Sequence, residues 1–112
     1  MDAEMLKGHL DALVLAALEG GGAHGYAIIE AIRVRSREAF DLPEGTVYPA
    51  LHRLEKAGLL KSAWVVPEGG RKRRVYELTK KGKDGLAERR AAWARFAGAV
   101  EHSLTGRSPW PA

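Results

Sequence analysis

The sequence predicts a mainly α-helical α+β fold, in which a winged helix-turn-helix is followed by a long C-terminal helix. Three segments with helical periodicity come first, and two short β-type runs around a Gly-rich loop follow them. The last segment carries Leu86, Trp93 and Val100 at intervals of seven, which is typical of a helix that packs on another helix. With 112 residues, of which 46% are hydrophobic, the chain has the size of one domain with a modest core.

The first two predicted helices are separated by three consecutive glycines. Between residues 4 and 19 the apolar residues recur at intervals of three and four, namely Leu6, Leu10, Leu13, Val14, Ala17 and Leu18. Residues 20–22 are all glycine and are expected to end this helix. A second helix is predicted from His24 to about Arg37, because one of its sides carries Ala27, Ile28, Ala31 and Ile32.

The third predicted helix follows Pro43, whose missing N–H group does no harm at a helix start. Its apolar residues match the helical template and are Val47, Ala50, Leu51 and Leu54. Gly58 is expected to end the helix in a left-handed conformation. Because a proline inside a helix costs ~3 kcal/mol, Pro49 predicts an irregular or late start, near Gly45 or Thr46.

Residues 59–66 and 74–78 are rich in β-branched and aromatic side chains, and the Gly-rich loop between them predicts a hairpin. Thr79 is expected to cap the final helix, which runs to about Leu104, although Gly82 and Gly85 weaken its first turns. We therefore divide the chain into a winged helix-turn-helix domain at residues 1–79, a dimerisation helix at 80–105 and a flexible tail at 106–112.

The composition excludes several classes of function. The chain has no cysteine, and neither a Ser/His/Asp constellation nor a phosphate-binding loop is found, so we expect no enzyme, no catalytic residue and no cofactor. The four histidines lie on separate predicted elements without the spacing of zinc ligands, so no metal site is expected. An acidic N-terminal segment and the lack of an apolar run of ~20 residues predict a soluble cytoplasmic protein with no membrane partner.

The charge and the third helix point to a polyanion as partner. The formal net charge is +4 and the pI is about 9.6. The side of the third helix opposite its apolar residues offers cations, donors and an aromatic edge, and it consists of Gly45, Tyr48, Pro49, His52, Arg53 and Lys56. These groups suit base edges and phosphates in a major groove, and Thr46 near the helix start suits a phosphate. An ordinary solvated helix face is the alternative.

The hairpin loop carries a run of four cations after two glycines. Arg71, Lys72 and Arg73 are candidates for contact with DNA phosphates, whereas strand alternation can turn Arg74 back toward the sheet. Because like charges repel one another, a nearby counter-charge is expected. A solvated charge run without a partner is again the alternative.

One face of the final helix predicts a dimer interface. Its members are Leu86, Trp93, Ala97, Val100 and Leu104. Trp93 is foremost a packing residue at this interface. Two such tryptophans in a dimer could also hold a flat hydrophobic ligand between them.

Several ordered motifs resemble those of the PadR family of transcriptional regulators. They are residues 24–26 (His-Gly-Tyr), 44–51 (Glu-Gly-Thr-Val-Tyr-Pro-Ala-Leu), 53–55 (Arg-Leu-Glu), 58–60 (Gly-Leu-Leu), 70–76 (Gly-Arg-Lys-Arg-Arg-Val-Tyr) and 78–79 (Leu-Thr). The resemblance spans about residues 5–104, and the single short C-terminal helix is similar to that of the smaller PadR subfamily.

The resemblance implies a repressor that binds a roughly palindromic operator in double-stranded DNA as a homodimer, formed by the C-terminal helix with help from the first. It implies a third helix in the major groove, with Thr46, Tyr48, Pro49 and Arg53 at or near DNA. It also implies a wing that brings Arg71, Lys72 and Arg73 to the backbone or minor groove. Some members release DNA on binding aromatic compounds, and Trp93 matches the position of a ligand-stacking tryptophan in certain drug-sensing members.

Two other interpretations remain open at this point. Winged helices also serve as protein-interaction adaptors, and such an adaptor would show no specific DNA binding. A MarR-like regulator is another alternative, although its longer flanking helices fit 112 residues poorly.

Overall fold

The computed structural model describes Leu6 and residues 8–110, and it confirms the predicted α+β class with a long C-terminal helix. The elements in chain order are α1 (Leu10–Ala17), β1 (Ala23–His24), α2 (Gly25–Arg35), α3 (Glu44–Lys56), β2 (Leu60–Val65), β3 (Arg73–Leu78) and α4 (Lys80–Thr105). The first helix was predicted over residues 4–19; residues 1–5 and 7 of the chain lie outside the described part, and α1 ends at Ala17.

The strands form an antiparallel sheet in the order β1-β3-β2. The predicted hairpin is β2 and β3, whose register places Leu60 opposite Leu78 and Val65 opposite Arg73. Strand β1 was not predicted, because two residues are too short to show an alternating pattern. This short strand adds to the far side of β3, where Ala23 lies opposite Tyr76.

Helix α2 begins as predicted and ends two residues earlier than predicted. His24 is its N-cap, and the ring Nδ1 accepts a hydrogen bond from the backbone N–H of Ala27 at 3.4 Å. The helix stops at Arg35 because Arg37 and Glu38 adopt positive φ angles of 54° and 66°, which are not helical.

Helix α3 begins at Glu44 directly after Pro43, so the expected late start near Gly45 or Thr46 is wrong. Pro49 therefore lies inside the helix, in its second turn. The carbonyl of Gly45, four residues earlier, receives no N–H bond from Pro49. Because Gly45 is exposed, water can reach this carbonyl, which lowers the cost of the interior proline.

A single apolar core joins the elements. Its completely buried members, listed from α1 to α3, are Val14, Leu15, Ile28, Val47, Ala50 and Leu51. The sheet contributes Leu60, Tyr76 and Leu78, and α4 contributes Leu86. The core holds α3 against the sheet and leaves the opposite side of that helix exposed.

The first turns of α4 pack closely on Leu59, in the turn that follows α3. Thr79 caps the helix as predicted, because its hydroxyl accepts a hydrogen bond from the N–H of Gly82 at 3.0 Å. A Cβ atom on Gly82 would lie 2.0 Å from the carbonyl oxygen of Leu59, and one on Gly85 would lie 3.0 Å from the Leu59 side chain. The sequence predicted only that these two glycines weaken the helix. In the structure they allow α4 to approach Leu59 closely.

The second half of α4 leaves the body of the protein. The described chain measures 69 × 28 × 21 Å, and nearly all residues from Arg90 to Thr105 are exposed. Residues 106–110 follow without regular helix or strand and are exposed, whereas 111 and 112 of the predicted tail lie outside the described part. None of the helices in the described part is long and apolar enough to cross a membrane.

Candidate nucleic-acid interface

The exposed side of α3 is formed by several of the predicted DNA-contacting residues. Pro49, His52, Arg53 and Lys56 are exposed, and Thr46 is half-buried on the first turn. Spacings of three and four residues bring Pro49, His52 and Lys56 into one row along the helix. The row carries a cation and an imidazole, and an α-helix that carries such groups fits into a major groove of DNA.

Tyr48 is half-buried between α3 and the start of α2. A Cβ atom on Gly25 would lie 2.2 Å from the Tyr48 hydroxyl oxygen, so the phenol ring occupies the space that the glycine leaves open. Nearby, the Glu44 carboxylate raises the pKa of the Tyr26 phenol through a hydrogen bond. The structure thus places Tyr48 in the contact between the two helices, and part of the residue stays accessible to solvent.

Arg53 is paired with an acidic residue that the sequence analysis did not single out. Its Nη2 donates a hydrogen bond to Oδ1 of Asp11 on α1 at 2.5 Å. The Arg53 side chain remains 58% exposed. Because an exposed ion pair contributes only about 0–1 kcal/mol, a phosphate or a base edge can replace Asp11 as the partner of this guanidinium.

The wing is the hairpin β2–β3 with its connecting loop, residues 60–78. Arg71, Lys72 and Arg73 are all exposed, as a phosphate-binding role requires. Arg73 lies near the start of α2, with its Nη1 3.1 Å from Nε2 of His24. Arg73 therefore lies toward α2, whereas the Lys72 ammonium lies over the Trp64 ring of β2 on the other side of the hairpin.

Glu55 connects the wing to α3. Its carboxylate accepts a hydrogen bond from the Ser62 hydroxyl at 2.5 Å and lies 3.7 Å from the Arg74 guanidinium. Arg74 is half-buried and turns toward α3, in the direction that strand alternation allowed. Glu55 is thus the counter-charge expected for the basic run, and the sequence alone did not identify it because the contact depends on how the hairpin packs.

An open apolar groove lies between α1 and α4. Its volume is about 640 Å³, and its apolar lining includes Leu6, Leu13, Phe40, Leu86 and Trp93. The Trp93 ring meets the His9 ring edge-on with 5.0 Å between centroids. The groove is large enough for another helix face or a small aromatic molecule.

Helix α4 continues beyond the groove with an exposed apolar stripe, which we define as Trp93, Phe96, Ala97, Val100 and Leu104. Leu86, predicted to belong to the dimer interface, is only 3% exposed because it packs in the core of its own protomer. Phe96 was missed, although its spacing of three from Trp93 and four from Val100 places it on the same helix face.

An ion pair fixes the point at which α4 leaves the body. Arg90 donates hydrogen bonds of 2.5 and 2.7 Å to the two carboxylate oxygens of Glu19, which follows α1. The hydrogen bond from Arg90 lowers the pKa of the Glu19 carboxyl below its ordinary value of 4.5. Within the part of the chain that the structure describes, no group of three or more potential ligands suits a metal ion.

Comparison with known families gives one match that covers most of the chain. Residues 14–88 match the transcriptional regulator PadR-like family. The matched stretch contains α2, α3 and the whole wing, together with the buried start of α4. It therefore includes every α3 and wing residue described above as a candidate for DNA contact.

Two solved structures of PadR-type regulators share this fold over their full length, and a third relative matches part of the sequence. A PadR family transcription regulator from Clostridium difficile is 39% identical, with a TM-score of 0.73 over 88% of this chain and 100% of that one. A PadR-like transcriptional regulator from Bacillus cereus is 28% identical, with a TM-score of 0.81 over 94% of this chain and 100% of that one. The transcriptional regulator Rv3488 of Mycobacterium tuberculosis is 47% identical over 62 residues, 55% of this chain and 57% of that protein.

Proposed function

Because the chain belongs to the PadR-like family of transcriptional regulators, we propose that it represses transcription as a homodimer bound to a palindromic operator. The family match confirms the predicted class of protein, a transcriptional regulator rather than an enzyme. We further propose that it acts in the cytoplasm on double-stranded DNA.

The observation that carries this proposal is the attachment of a cationic wing to α3 through Glu55, beside the exposed face of that helix. Glu55 bonds Ser62 and pairs with Arg74, so the hairpin is held against the helix that would enter the major groove. Because the wing is held in a fixed position relative to α3, the helix can contact base edges while the wing contacts neighbouring phosphates.

In the proposed complex, the residues of α3 and of the wing have different roles. His52, Arg53 and Lys56 contact base edges or the backbone, with Pro49 against the groove and Thr46 near a phosphate. Tyr48 contributes the part that stays accessible to solvent beside its contact with α2. Arg71, Lys72 and Arg73 neutralise phosphates and supply affinity that is independent of sequence.

The proposed homodimer forms through α4. The exposed apolar stripe lies on a helix segment that contacts little of its own protomer, whereas most helices in proteins owe their stability to tertiary packing of an apolar face. A second copy would cover the stripe and bring two α3 helices into position for half-sites about one helical turn apart.

The test is selection of random-sequence duplexes by the purified protein, followed by fluorescence anisotropy on the enriched site at several salt concentrations. An inverted repeat bound in the nanomolar range, with a steep salt dependence, supports the proposal. Recovery of no motif, with only weak binding that salt abolishes, would contradict it and favour the protein-interaction adaptor.

A small aromatic effector is a second part of the proposal, favoured by the groove beside Trp93. In the dimer, two Trp93 side chains would hold a flat aromatic compound between them. The variant Trp64→Phe/Trp110→Phe leaves Trp93 as the single tryptophan. A phenolic acid or planar dye that quenches its fluorescence and releases the operator at the same concentrations supports this role; release without quenching contradicts it.

A further inference from the structure

Trp64 is an exposed aromatic residue of the wing that the proposed DNA contacts leave unused. Its side chain is 56% exposed, although it stands on the same face of β2 as the buried Leu60. Two cations lie over its indole ring. The Nζ atom of Lys72 is 4.9 Å from the ring centroid, and the guanidinium carbon of Arg74 is 5.4 Å away.

Both distances lie inside the ~6 Å limit of a cation–π interaction, and indole is the strongest aromatic partner for a cation. The two cations differ in what else they contact. Arg74 stands directly opposite Trp64 in the strand register and is paired with Glu55 of α3. Trp64 therefore has a neighbour that is fixed to α3, and on its other side it contacts the exposed Lys72 near the loop.

A free lysine side chain samples many rotamers, and binding a phosphate has to restrict them. The indole face attracts the Lys72 ammonium before any DNA is present, and it leaves the solvent side of that ammonium free to donate hydrogen bonds. Glu55, Arg74, Trp64 and Lys72 thus form a continuous series of contacts from α3 to the wing loop.

We propose that Trp64 is a positioning residue that holds Lys72 for contact with a DNA phosphate. The inference rests on the proposed function, because it assigns a role within the same DNA interface. It concerns how Lys72 is held, and it requires no contact between Trp64 and a base.

The contact itself is tested in the free protein by NMR. The side-chain protons next to the Lys72 ammonium, assigned with Lys72→Arg, should be shifted upfield by the ring current of the indole. Trp64→Ala should abolish the shift, Trp64→Phe should retain part of it, and the matched control Trp110→Ala, at another exposed tryptophan, should leave it unchanged. A Lys72 signal that coincides with those of the other lysines would overturn the inference.

The role in binding is tested by anisotropy on the selected operator and on a random duplex over a range of salt. Trp64→Ala should weaken binding to both about two- to five-fold for each wing, the size expected of an exposed cation–π contact. The salt slope should fall by up to about one for each protomer, and Trp64→Phe should restore most of the affinity.

A double variant separates positioning from a general loss of wing structure. In a Lys72→Ala background, Trp64→Ala should weaken binding no further, because the side chain that Trp64 positions is gone. An equal further loss in that background would overturn the inference. If the wild-type protein binds no duplex, both the proposed function and the positioning role of Trp64 are overturned. If the wild-type protein binds the operator tightly and Trp64→Ala does not change that affinity, only the positioning role is overturned.

Discussion

Gly82 shows how a single residue can be required for packing while its helix propensity is poor. Glycine in a helix interior costs about 0.5–1 kcal/mol relative to alanine. The backbone of Leu59 occupies the position that a Gly82 Cβ atom would take, so alanine here meets an atom that cannot move independently. At this position the steric contact outweighs the gain in helix propensity.

Gly82→Ala should therefore lower the free energy of unfolding by about 1–3 kcal/mol, the usual cost of overpacking. The matched control is Gly98→Ala in the same helix, where an added Cβ atom meets nothing within 4 Å. The control should raise stability by about 0.5–1 kcal/mol. Urea unfolding at one fixed protein concentration measures both changes, and a neutral Gly82→Ala variant would contradict the contact with Leu59.

At the scale of elements, polar contacts fix how neighbouring segments are arranged on the apolar core. Glu55 connects the wing to α3, and Glu19 connects the end of α1 to α4 through Arg90. The Glu19–Arg90 pair is exposed and the Glu55 contacts are only partly buried, so each adds modestly to the free energy of folding. Their effect is to fix direction: the first orients the wing, and the second orients the helix that carries the apolar stripe.

The wing cations are expected to act together on every DNA sequence. The variant Arg71→Ala/Lys72→Ala/Arg73→Ala should weaken operator and random duplex by similar factors and lower the salt slope, because phosphate contacts carry no sequence information. Anisotropy across salt measures both effects. The matched control removes three other exposed cations, Lys80, Lys83 and Arg107. Wild-type affinity in the wing variant would contradict the proposal that these three cations contact DNA phosphates.

The Glu19–Arg90 pair predicts a dependence of stability on pH. Because the pKa of Glu19 is lower in the folded protein than its ordinary 4.5, the pair stabilises the fold above that pH. This contribution is lost as the pH falls through the folded pKa. Wild type should be more stable than Glu19→Gln at pH 7 and lose that advantage below about pH 4.5. If the difference in unfolding free energy between wild type and Glu19→Gln stays constant as the pH falls, a stabilising Glu19–Arg90 ion pair is contradicted.

For the whole molecule, we expect the exposed apolar stripe to couple oligomeric state to DNA binding. Val100→Glu should give monomers and lose operator affinity together, because a charge buried at an interface without a partner is strongly destabilising. The control is Ala91→Glu, which lies on the opposite side of α4. Analytical ultracentrifugation and anisotropy measure the two properties. A dimeric Val100→Glu protein would contradict an interface on this face.

How much of the fold was predictable from the sequence depends on the range of the interactions involved. Helices and hairpin follow from local periodicity and turn residues, so their order was predicted and most boundaries lie within a few residues. The strand β1 exists only through pairing with β3, and α3 starts at Glu44 despite Pro49 because its apolar face is buried. Tertiary packing decided both features.

The same distinction applies to the site. The α3 face and the wing cations could be identified from residue type and spacing. The acidic partners could not, since Asp11 and Arg53 are 42 residues apart and meet only when α1 packs beside α3. Leu86 and Phe96 share one helix face with Trp93, yet only the position at which α4 leaves the core decides which of them is buried.

The projecting half of α4 also has a consequence for how long the protein survives. A protomer without a partner would carry this segment as a bare helix that opens readily, with Arg95 accessible to a trypsin-like protease. Pairing would protect the same segment, so dilution below the dimerisation constant would shorten the lifetime of the chain. If α4 is the dimer interface, a cell that holds too few copies to pair them would thus also degrade those copies fastest.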